Sequence, residues 1–180
     1  MSHPSRPAIP AERPVPRVLV GAVMTVKSQT VMELGKVVAE EVQAAGFKLV
    51  RSVVVNGDGE FIQQLVSNVS NDNEADAIIL VGGTGIGPKD TTCEAVESVI
   101  ERGIEGFGDE FRHMLRHDLG FGAHSWLARA SAGVYNQCLV FAMTGRVQDI
   151  RRAMVSILVP TLSDGVELAT GRMRHVHLKA

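Results

Sequence analysis

The order of apolar segments along the chain restricts the fold more than any other feature of this sequence. Three short, β-branched runs at residues 18–24, 49–55 and 77–81 predict buried strands, because a strand covered on both faces is apolar at nearly every position. Between them, apolar residues recur every three or four positions over 31–45 and 61–69, as in amphipathic helices. Alternating strands and helices form parallel crossovers. We therefore expect an α/β fold with a mostly parallel sheet and helices on both faces.

The second half of the chain continues this pattern less regularly. Its predicted elements are helices at 92–100, 107–117 and 147–158, a strand at 138–143 and a short final helix over 162–169. A loop is expected around Gly120 and Gly122. We expect Pro160 to end the helix that begins at Val147, because proline lacks the amide hydrogen that a helix interior requires.

The two ends of the chain differ from its body in composition and charge. Residues 1–16 hold five prolines and predict a flexible lead-in, residues 17–170 form the folded domain, and residues 171–180 form a basic tail. Residues 1–17 and 171–180 together carry a net charge of +5, which leaves the body at −7. Proteins that bind nucleic acid concentrate Lys and Arg on the folded body, so we expect no nucleic-acid partner.

No apolar run approaches the length of a membrane span, and the start of the chain has no apolar signal segment. We therefore expect a cytoplasmic protein with no membrane partner. Cys93 and Cys138 are far apart and lack a second thiol at metal-binding spacing, which favours reduced, structural cysteines. His113 and His117 have the four-residue spacing of a helical metal site, but no Glu follows His113, so solvated histidines are the favoured interpretation.

A glycine-rich segment, G-G-T-G-I-G-P-K-D at residues 82–90, lies between a predicted strand and a predicted helix. This position is the carboxyl edge of a parallel sheet, where ligands bind. It is neither a P-loop, which needs Lys at position 88, nor a dinucleotide fingerprint, which needs Gly there, because the residue is Pro88. Glycine amides and Lys89 suit phosphate oxygens, and Asp90 suits a hard cation. The segment therefore predicts a magnesium-phosphate site.

Structural roles compete with this interpretation at two acids. Thr91 and Glu94 have the spacing of a capping box, which favours Glu94 as a helix cap. Asp90 could serve only to stabilise the start of the same helix. Four glycines, a lysine and an aspartate within nine residues nevertheless exceed what a turn requires, so we favour the site.

The stretch V-G-G-T-G-I-G-P-K-D-T-T-C-E-A-V at 81–96 resembles the glycine loop and helix start of the MoaB/MogA family, the molybdopterin adenylyltransferases of molybdenum cofactor biosynthesis. I-E-G-F-G-D-E-F-R-H-M at 104–114 and L-A-R-A-S-A-G-V at 127–134 are similar to two further family segments, and the resemblance spans about 18–168. It implies Mg²⁺-dependent transfer of AMP from ATP to the terminal phosphate of molybdopterin, with release of pyrophosphate. It also implies a three-layer α/β/α fold like a molybdopterin-binding domain, assembled as a homotrimer.

The resemblance also implies roles for individual residues. Asp90 is the essential catalytic acid, and the residues expected to bind substrate phosphate or to line the same pocket are Gly82, Gly83, Thr84, Gly85, Thr92 and Glu94. The family's N-L-P-G-S-P appears here as A-M-T-G-R-V, which keeps only Gly145, a further residue expected to bind substrate. We expect Lys89 and Arg129 to offset the repulsion between ATP and the acidic body. Arg146, at a helix start beside the pocket, either binds a phosphate or lies in solvent.

The turn V-N-G-D-G-E at 55–60 departs from the family, because Gly57 stands where the family has an acid and Asp58 follows one place later. Two interpretations stay open: Asp58 joins Asp90 as a second catalytic, metal-binding carboxylate, or it only caps the next helix. The first loop also lacks the family's acidic residues. These departures keep an alternative function open, namely a catalytically inactive relative that binds molybdopterin or serves in assembly.

Overall fold

A six-stranded sheet forms the centre of the computed structural model, which describes residues 14–25 and 29–172. The strands are β1 (Arg17–Met24), β2 (Lys48–Asn56), β3 (Ala77–Val81), β4 (Arg102–Gly103), β5 (Ser131–Tyr135) and β6 (Cys138–Met143). Their spatial order is β2-β1-β3-β6-β5-β4. The first four in this order are parallel, whereas β5 and β4 are antiparallel to their neighbours. The expected mostly parallel α/β sheet is confirmed.

Helices cover both faces of this sheet, as a three-layer fold requires. They are α1 (Gln29–Ala44), α2 (Gly59–Asn71), α3 (Thr92–Val99), α4 (Glu105–His117), α5 (Val147–Ala153) and α6 (Val159–Ala169). The buried side chains of α1, α4, α5 and α6 pack on one face, and those of α2 and α3 pack on the other. None of the helices in the described ranges is both long and apolar enough to cross a membrane.

β3 shows why continuous apolar runs identified the central strands. All five of its residues, A-I-I-L-V, are buried. Successive side chains of a strand point to opposite faces, so Ile79 joins the core under α1 and Ile78 joins the core under α2. At the end of α1, Gly46 has φ +80°, the left-handed conformation that ends helices, as the sequence predicted.

The second half of the chain holds one strand that the sequence did not predict and one expectation that is wrong. Residues 131–135 form β5, to which no element was assigned, and the expected loop around Gly120 and Gly122 leads into a turn of 3₁₀ helix at residues 122–127. The strand S-A-G-V-Y is short and rich in small residues, so its conformation depends on pairing with β6. Pro160 does not end the helical segment: a π-turn at Met154–Leu158 leads into α6, and Pro160 lies in the first turn of α6, where a missing amide hydrogen costs little.

The strand order also determines where a ligand can bind. From β1 the chain passes through α1 to β2 on one side and later returns through α2 to β3 on the other side. The carboxyl ends of β1 and β3 therefore lie at a point where the strand order reverses, which is the usual ligand site of open α/β sheets. The expected lead-in at 1–16 and tail at 171–180 lie mostly outside the described residues and stay predictions.

Candidate functional site

The glycine loop that follows β3 begins with two glycines that no other residue can replace without strain. Gly82 has φ +99° and Gly83 has φ +64°. A Cβ on Gly82 would lie 2.9 Å from the carbonyl oxygen of Val23, and one on Gly83 would collide with Oγ1 of Thr92. Thr92 Oγ1 donates to the Gly82 carbonyl at 2.8 Å, and its amide donates to the Gly83 carbonyl at 2.9 Å. Thr92 thus fixes the start of the loop.

The glycine loop ends at Asp90, and the Asp90 side chain folds back into that loop. The Gly87 amide donates to Oδ2 of Asp90 at 3.1 Å, and the Asp90 amide donates to the Gly87 carbonyl at 3.0 Å. Added Cβ atoms on Gly85 and Gly87 would lie 2.5 and 2.9 Å from the same Oδ2 atom. The glycines therefore make room for this carboxylate, and the carboxylate in turn helps to shape the loop. Thr84, within the same loop, is buried.

The turn after β2 holds the second acid. The Gly57 amide donates to the carbonyl of Met24 at 2.9 Å, and a Cβ on Gly57 would lie 2.9 Å from that oxygen. No side chain fits at position 57 without a shift of the backbone, so an acid in this turn has to stand elsewhere. Asp58 is exposed, and its Oδ1 accepts the Glu60 amide at 3.1 Å as the N-cap of α2. Asp58 is thus the N-cap of α2, and the cap occupies one carboxylate oxygen. A second, metal-binding role of the same carboxylate stays a prediction.

A hydrogen bond joins the turn of Asp58 to the end of the glycine loop. Thr91 Oγ1 donates to the Gly57 carbonyl at 2.7 Å, which places the turn of Asp58 beside the end of the glycine loop. Asp58, Lys89 and Thr91 together line a cavity of about 270 Å³. Asp90 does not line this cavity, although it directly precedes Thr91. The structure thus brings Asp58 and Lys89 together, with Asp90 on the adjoining loop.

Glu94 does not form the expected capping box. The Thr91 side chain makes no cap hydrogen bond to α3, and the Glu94 carboxylate accepts Nη2 of Arg129 at 2.6 Å. This hydrogen bond lowers the pKa of Glu94 and raises the pKa of Arg129. Both residues line a separate cavity of about 290 Å³ that also contains Cys93. The charge of Arg129 is therefore matched within the protein.

The loop after β6 packs directly on the glycine loop. The Gly82 amide donates to the carbonyl of Met143 at 3.0 Å, and a Cβ on Gly145 would lie 3.2 Å from the Cα of Gly82. A side chain at position 145 would therefore push the two loops apart by a few tenths of an ångström. The next residue, Arg146, pairs with Asp149 and stacks on the Phe121 ring. The sequence did not single out Phe121 or Asp149, although the three-residue spacing of Arg146 and Asp149 is typical of an ion pair on one face of a helix.

The remaining titratable residues show no assembled site. The exposed imidazoles of His113 and His117 lie 4.3 Å apart between ring centres. Within the described ranges, no three His, Cys, Asp or Glu side chains are grouped to hold a metal. Cys93 and Cys138 are buried and not disulfide-bonded, and burial raises the pKa of Cys138 to about 11.

Comparisons with known proteins identify relatives of this chain. Residues 18–164 match the family described as "Probable molybdopterin binding domain". The chain is 34% identical over 128 residues to "Molybdenum cofactor biosynthesis protein B" of Bacillus cereus, covering 71% of this chain and 75% of that protein. It is 30% identical over 120 residues to "Probable molybdopterin adenylyltransferase" of Methanocaldococcus jannaschii, covering 67% and 69%.

A solved structure described as "Crystal structure of Molybdenum cofactor biosynthesis protein B" superposes with a TM-score of 0.82 at 27% identity. The superposition covers 89% of this chain and 99% of that one, so the two folds agree over most of their lengths. With a family match over most of its length and relatives at 30% identity or more, this chain belongs to the molybdopterin-binding domain family of MoaB/MogA-like proteins.

Proposed function

We propose that this protein acts in molybdenum cofactor biosynthesis by transferring AMP from ATP to the terminal phosphate of molybdopterin, with release of pyrophosphate. The observation that carries the proposal is the glycine loop wrapped around the Asp90 carboxylate at the reversal point of the sheet. A relative of this chain bears the name of such an adenylyltransferase, which supports the reaction type.

The two acids suit a hard divalent cation. The cap uses Oδ1 of Asp58, and the loop uses Oδ2 of Asp90, so each carboxylate keeps a second oxygen outside those bonds. Mg²⁺ is usually held by one or two carboxylates together with water and substrate phosphates, so a donor set of two aspartates fits this ion. When bound, Mg²⁺ neutralises charge on phosphate oxygens during phosphoryl transfer.

The other residues would bind and position the phosphates. The backbone of Gly82, Gly83, Thr84 and Gly85 forms the tight loop at the strand end. The Gly82 amide already donates to the Met143 carbonyl, so the amides that can approach phosphate oxygens are those of the next three residues. Lys89 shares a cavity with Asp58, and its exposed ammonium group can neutralise a phosphate there. The attacking phosphate is already anionic and needs little deprotonation. Catalysis therefore rests on holding the two substrates in line.

Four further residues support this arrangement rather than react. Thr92 holds the first two glycines through its hydroxyl and amide, and Gly145 allows the neighbouring loop to approach. Glu94 and Arg129 line a separate cavity as an ion pair, and we propose that this cavity adjoins the bound substrate. A substrate phosphate would have to compete with Glu94 for the guanidinium of Arg129.

A catalytically inactive relative that binds molybdopterin or serves in assembly is the second candidate. It is favoured by the turn at 55–60, where the backbone leaves no room for an acid at Gly57 and Asp58 is already engaged as a helix cap. The experiment that separates the candidates is incubation of purified protein with ATP, Mg²⁺ and molybdopterin, followed by chromatography for adenylylated molybdopterin. Formation of that product supports the transferase, and binding of molybdopterin without product supports the inactive relative.

We further propose that the protein assembles as a homotrimer, as the family resemblance implies. Its cytoplasmic location and the expected lack of nucleic-acid and membrane partners stay predictions.

A further inference from the structure

Arg146 stands next to the glycine loop. Gly145 packs so closely on Gly82 that a Cβ on Gly145 would lie 3.2 Å from the Gly82 Cα atom. The hydrogen bond from the Gly82 amide to the Met143 carbonyl holds the two loops together. Because Arg146 directly follows Gly145, its backbone lies beside the proposed phosphate loop. In the family motif N-L-P-G-S-P serine stands at this position, whereas this chain has arginine.

Two contacts hold the guanidinium group of Arg146 in one orientation. Its central carbon lies 4.0 Å from the centre of the Phe121 ring, a distance typical of cation–π stacking. Nε and Nη2 both lie 2.7 Å from Oδ2 of Asp149. Asp149 is only 1% exposed, and burial raises its pKa. The buried carboxylate and the ring therefore fix the guanidinium plane.

The same side chain is accessible from solvent. Although its carboxylate partner is buried, the Arg146 side chain is 51% exposed. A guanidinium carries five N–H donors in a planar fork, and the pair with Asp149 uses only the Nε and Nη2 side. Among the described residues, Arg146 has no second acidic partner. The group is thus preorganised, with donors left for an external anion.

We propose that Arg146 is a phosphate-binding residue at the edge of the glycine loop, held in place by Phe121 and Asp149. This proposal rests on the proposed function, because it places a phosphoryl oxyanion of one of the two substrates at this site. An arginine supplies the paired, planar donors that match two phosphate oxygens, which serine cannot do. Phe121 and Asp149 are positioning residues that act through Arg146.

The test uses a double variant, Arg146→Gln with Asp149→Asn, because removing the arginine alone would leave a buried carboxylate without its partner. Asp149→Asn alone keeps the guanidinium. Arg152→Gln is the matched control, since Arg152 is another arginine of α5, paired instead with Asp118 at 2.6 Å. The probes are ATP, pyrophosphate and inorganic phosphate, each titrated with Mg²⁺ present. Binding is followed by calorimetry and by the fluorescence of Trp126, the single tryptophan of the chain, with thermal melts to confirm folding.

We expect the double variant to bind at least one probe about tenfold or more weakly, whereas Arg152→Gln stays within about threefold of the unmodified protein. Asp149→Asn should lose less affinity than the double variant, because its amide oxygen can still accept a hydrogen bond from Arg146 and keep part of the orientation. If the double variant binds ATP and pyrophosphate more weakly, Arg146 contacts the phosphates of the nucleotide. If it binds inorganic phosphate more weakly, Arg146 contacts a phosphate monoester such as the terminal phosphate of the second substrate. Unchanged binding in the double variant overturns the proposal, as does an equal loss in Asp149→Asn alone or a lack of binding by the unmodified protein.

Failure of the proposed function gives a different result. If the unmodified protein binds these anions through Arg146 but forms no adenylylated molybdopterin, the transferase is rejected while the phosphate site stands. If it forms that product and the double variant binds and reacts normally, the transferase stands and the role of Arg146 is rejected.

Discussion

Substitutions of Asp58 can separate its cap from its proposed metal-binding role. Asp58→Ala removes both the acceptor and the negative charge, whereas Asp58→Asn keeps an acceptor for the Glu60 amide and removes only the charge. Asparagine and aspartate are about equally good N-caps, so the two variants should differ in stability and agree in metal binding.

The size of the stability effect follows from the environment of the side chain. Asp58 is exposed and contributes one cap hydrogen bond, so its truncation opens no cavity. The helix it caps stays anchored by buried side chains such as Ile62 and Val66. We expect Asp58→Ala to lower the free energy of unfolding by about 1 kcal/mol, the usual cost of a lost N-cap. For a domain of this size that is a decrease in Tm of about 3 °C. Asp58→Asn should change the free energy of unfolding by only a few tenths of that amount.

Two measurements on the same proteins complete this test. Urea unfolding gives the stability, and calorimetric titration of ATP with and without Mg²⁺ gives the metal-dependent affinity. If Asp58 binds the metal, both variants should lose most of the affinity gained from Mg²⁺. Glu60→Gln is the control, because it neutralises a neighbouring acid in the first turn of α2 without removing the cap. An Asp58→Asn protein that binds Mg²⁺ and ATP normally would refute the metal role, and one as unstable as Asp58→Ala would refute the cap.

Four further outcomes are expected. Asp90→Asn should abolish adenylyl transfer with little change in Tm, because the amide oxygen can still accept the Gly87 amide; near-normal turnover would exclude Asp90 as a catalytic acid. Gly83→Ala should cost about 1–3 kcal/mol and weaken phosphate binding, because φ is +64° and the new methyl group meets Thr92, and urea unfolding measures this loss. Burial raises the pKa of Asp76, but hydrogen bonds from Arg17 outweigh burial and leave that pKa below 3.8. The ionised carboxylate should therefore stabilise the folded state fully above pH 3.8, and this stabilisation should disappear as the pH falls through the lowered pKa. In unfolding experiments, Asp76→Asn should destabilise the protein at pH 7 and make no difference at strongly acidic pH. Light scattering at micromolar concentration should give three times 19.3 kDa, and a monomer at every concentration would reject the trimer.

Local sequence signals were sufficient for most of the elements. β3 and β6 begin and end at the residues that their apolar runs marked, because a strand buried on both faces is apolar throughout. α1 follows from its three- and four-residue periodicity and from Gly46. The glycine loop was also evident from the sequence, because left-handed conformations and close packing of the backbone require glycine.

Tertiary structure decided the features that depend on a distant partner. β5 is a strand because it pairs with β6, and its small residues carry no periodic signal of their own. The spacing of Thr91 and Glu94 predicted a helix cap, yet the Glu94 carboxylate accepts a hydrogen bond from Arg129, which is 35 residues away. Position 57 excludes an acid because the backbone of Met24 occupies the space, which no property of the sequence V-N-G-D-G-E reveals.

The sequence by itself therefore determined the α/β class, the glycine loop and the acid that ends it, since each depends on the conformational preferences of consecutive residues. Only the tertiary structure decided which distant side chains come together: Asp58 and Lys89 line one cavity, Glu94 pairs with Arg129, and Arg146 stacks on Phe121. The physical reason is that charge pairing and stacking act through space, over distances of a few ångströms that are unrelated to separation along the chain.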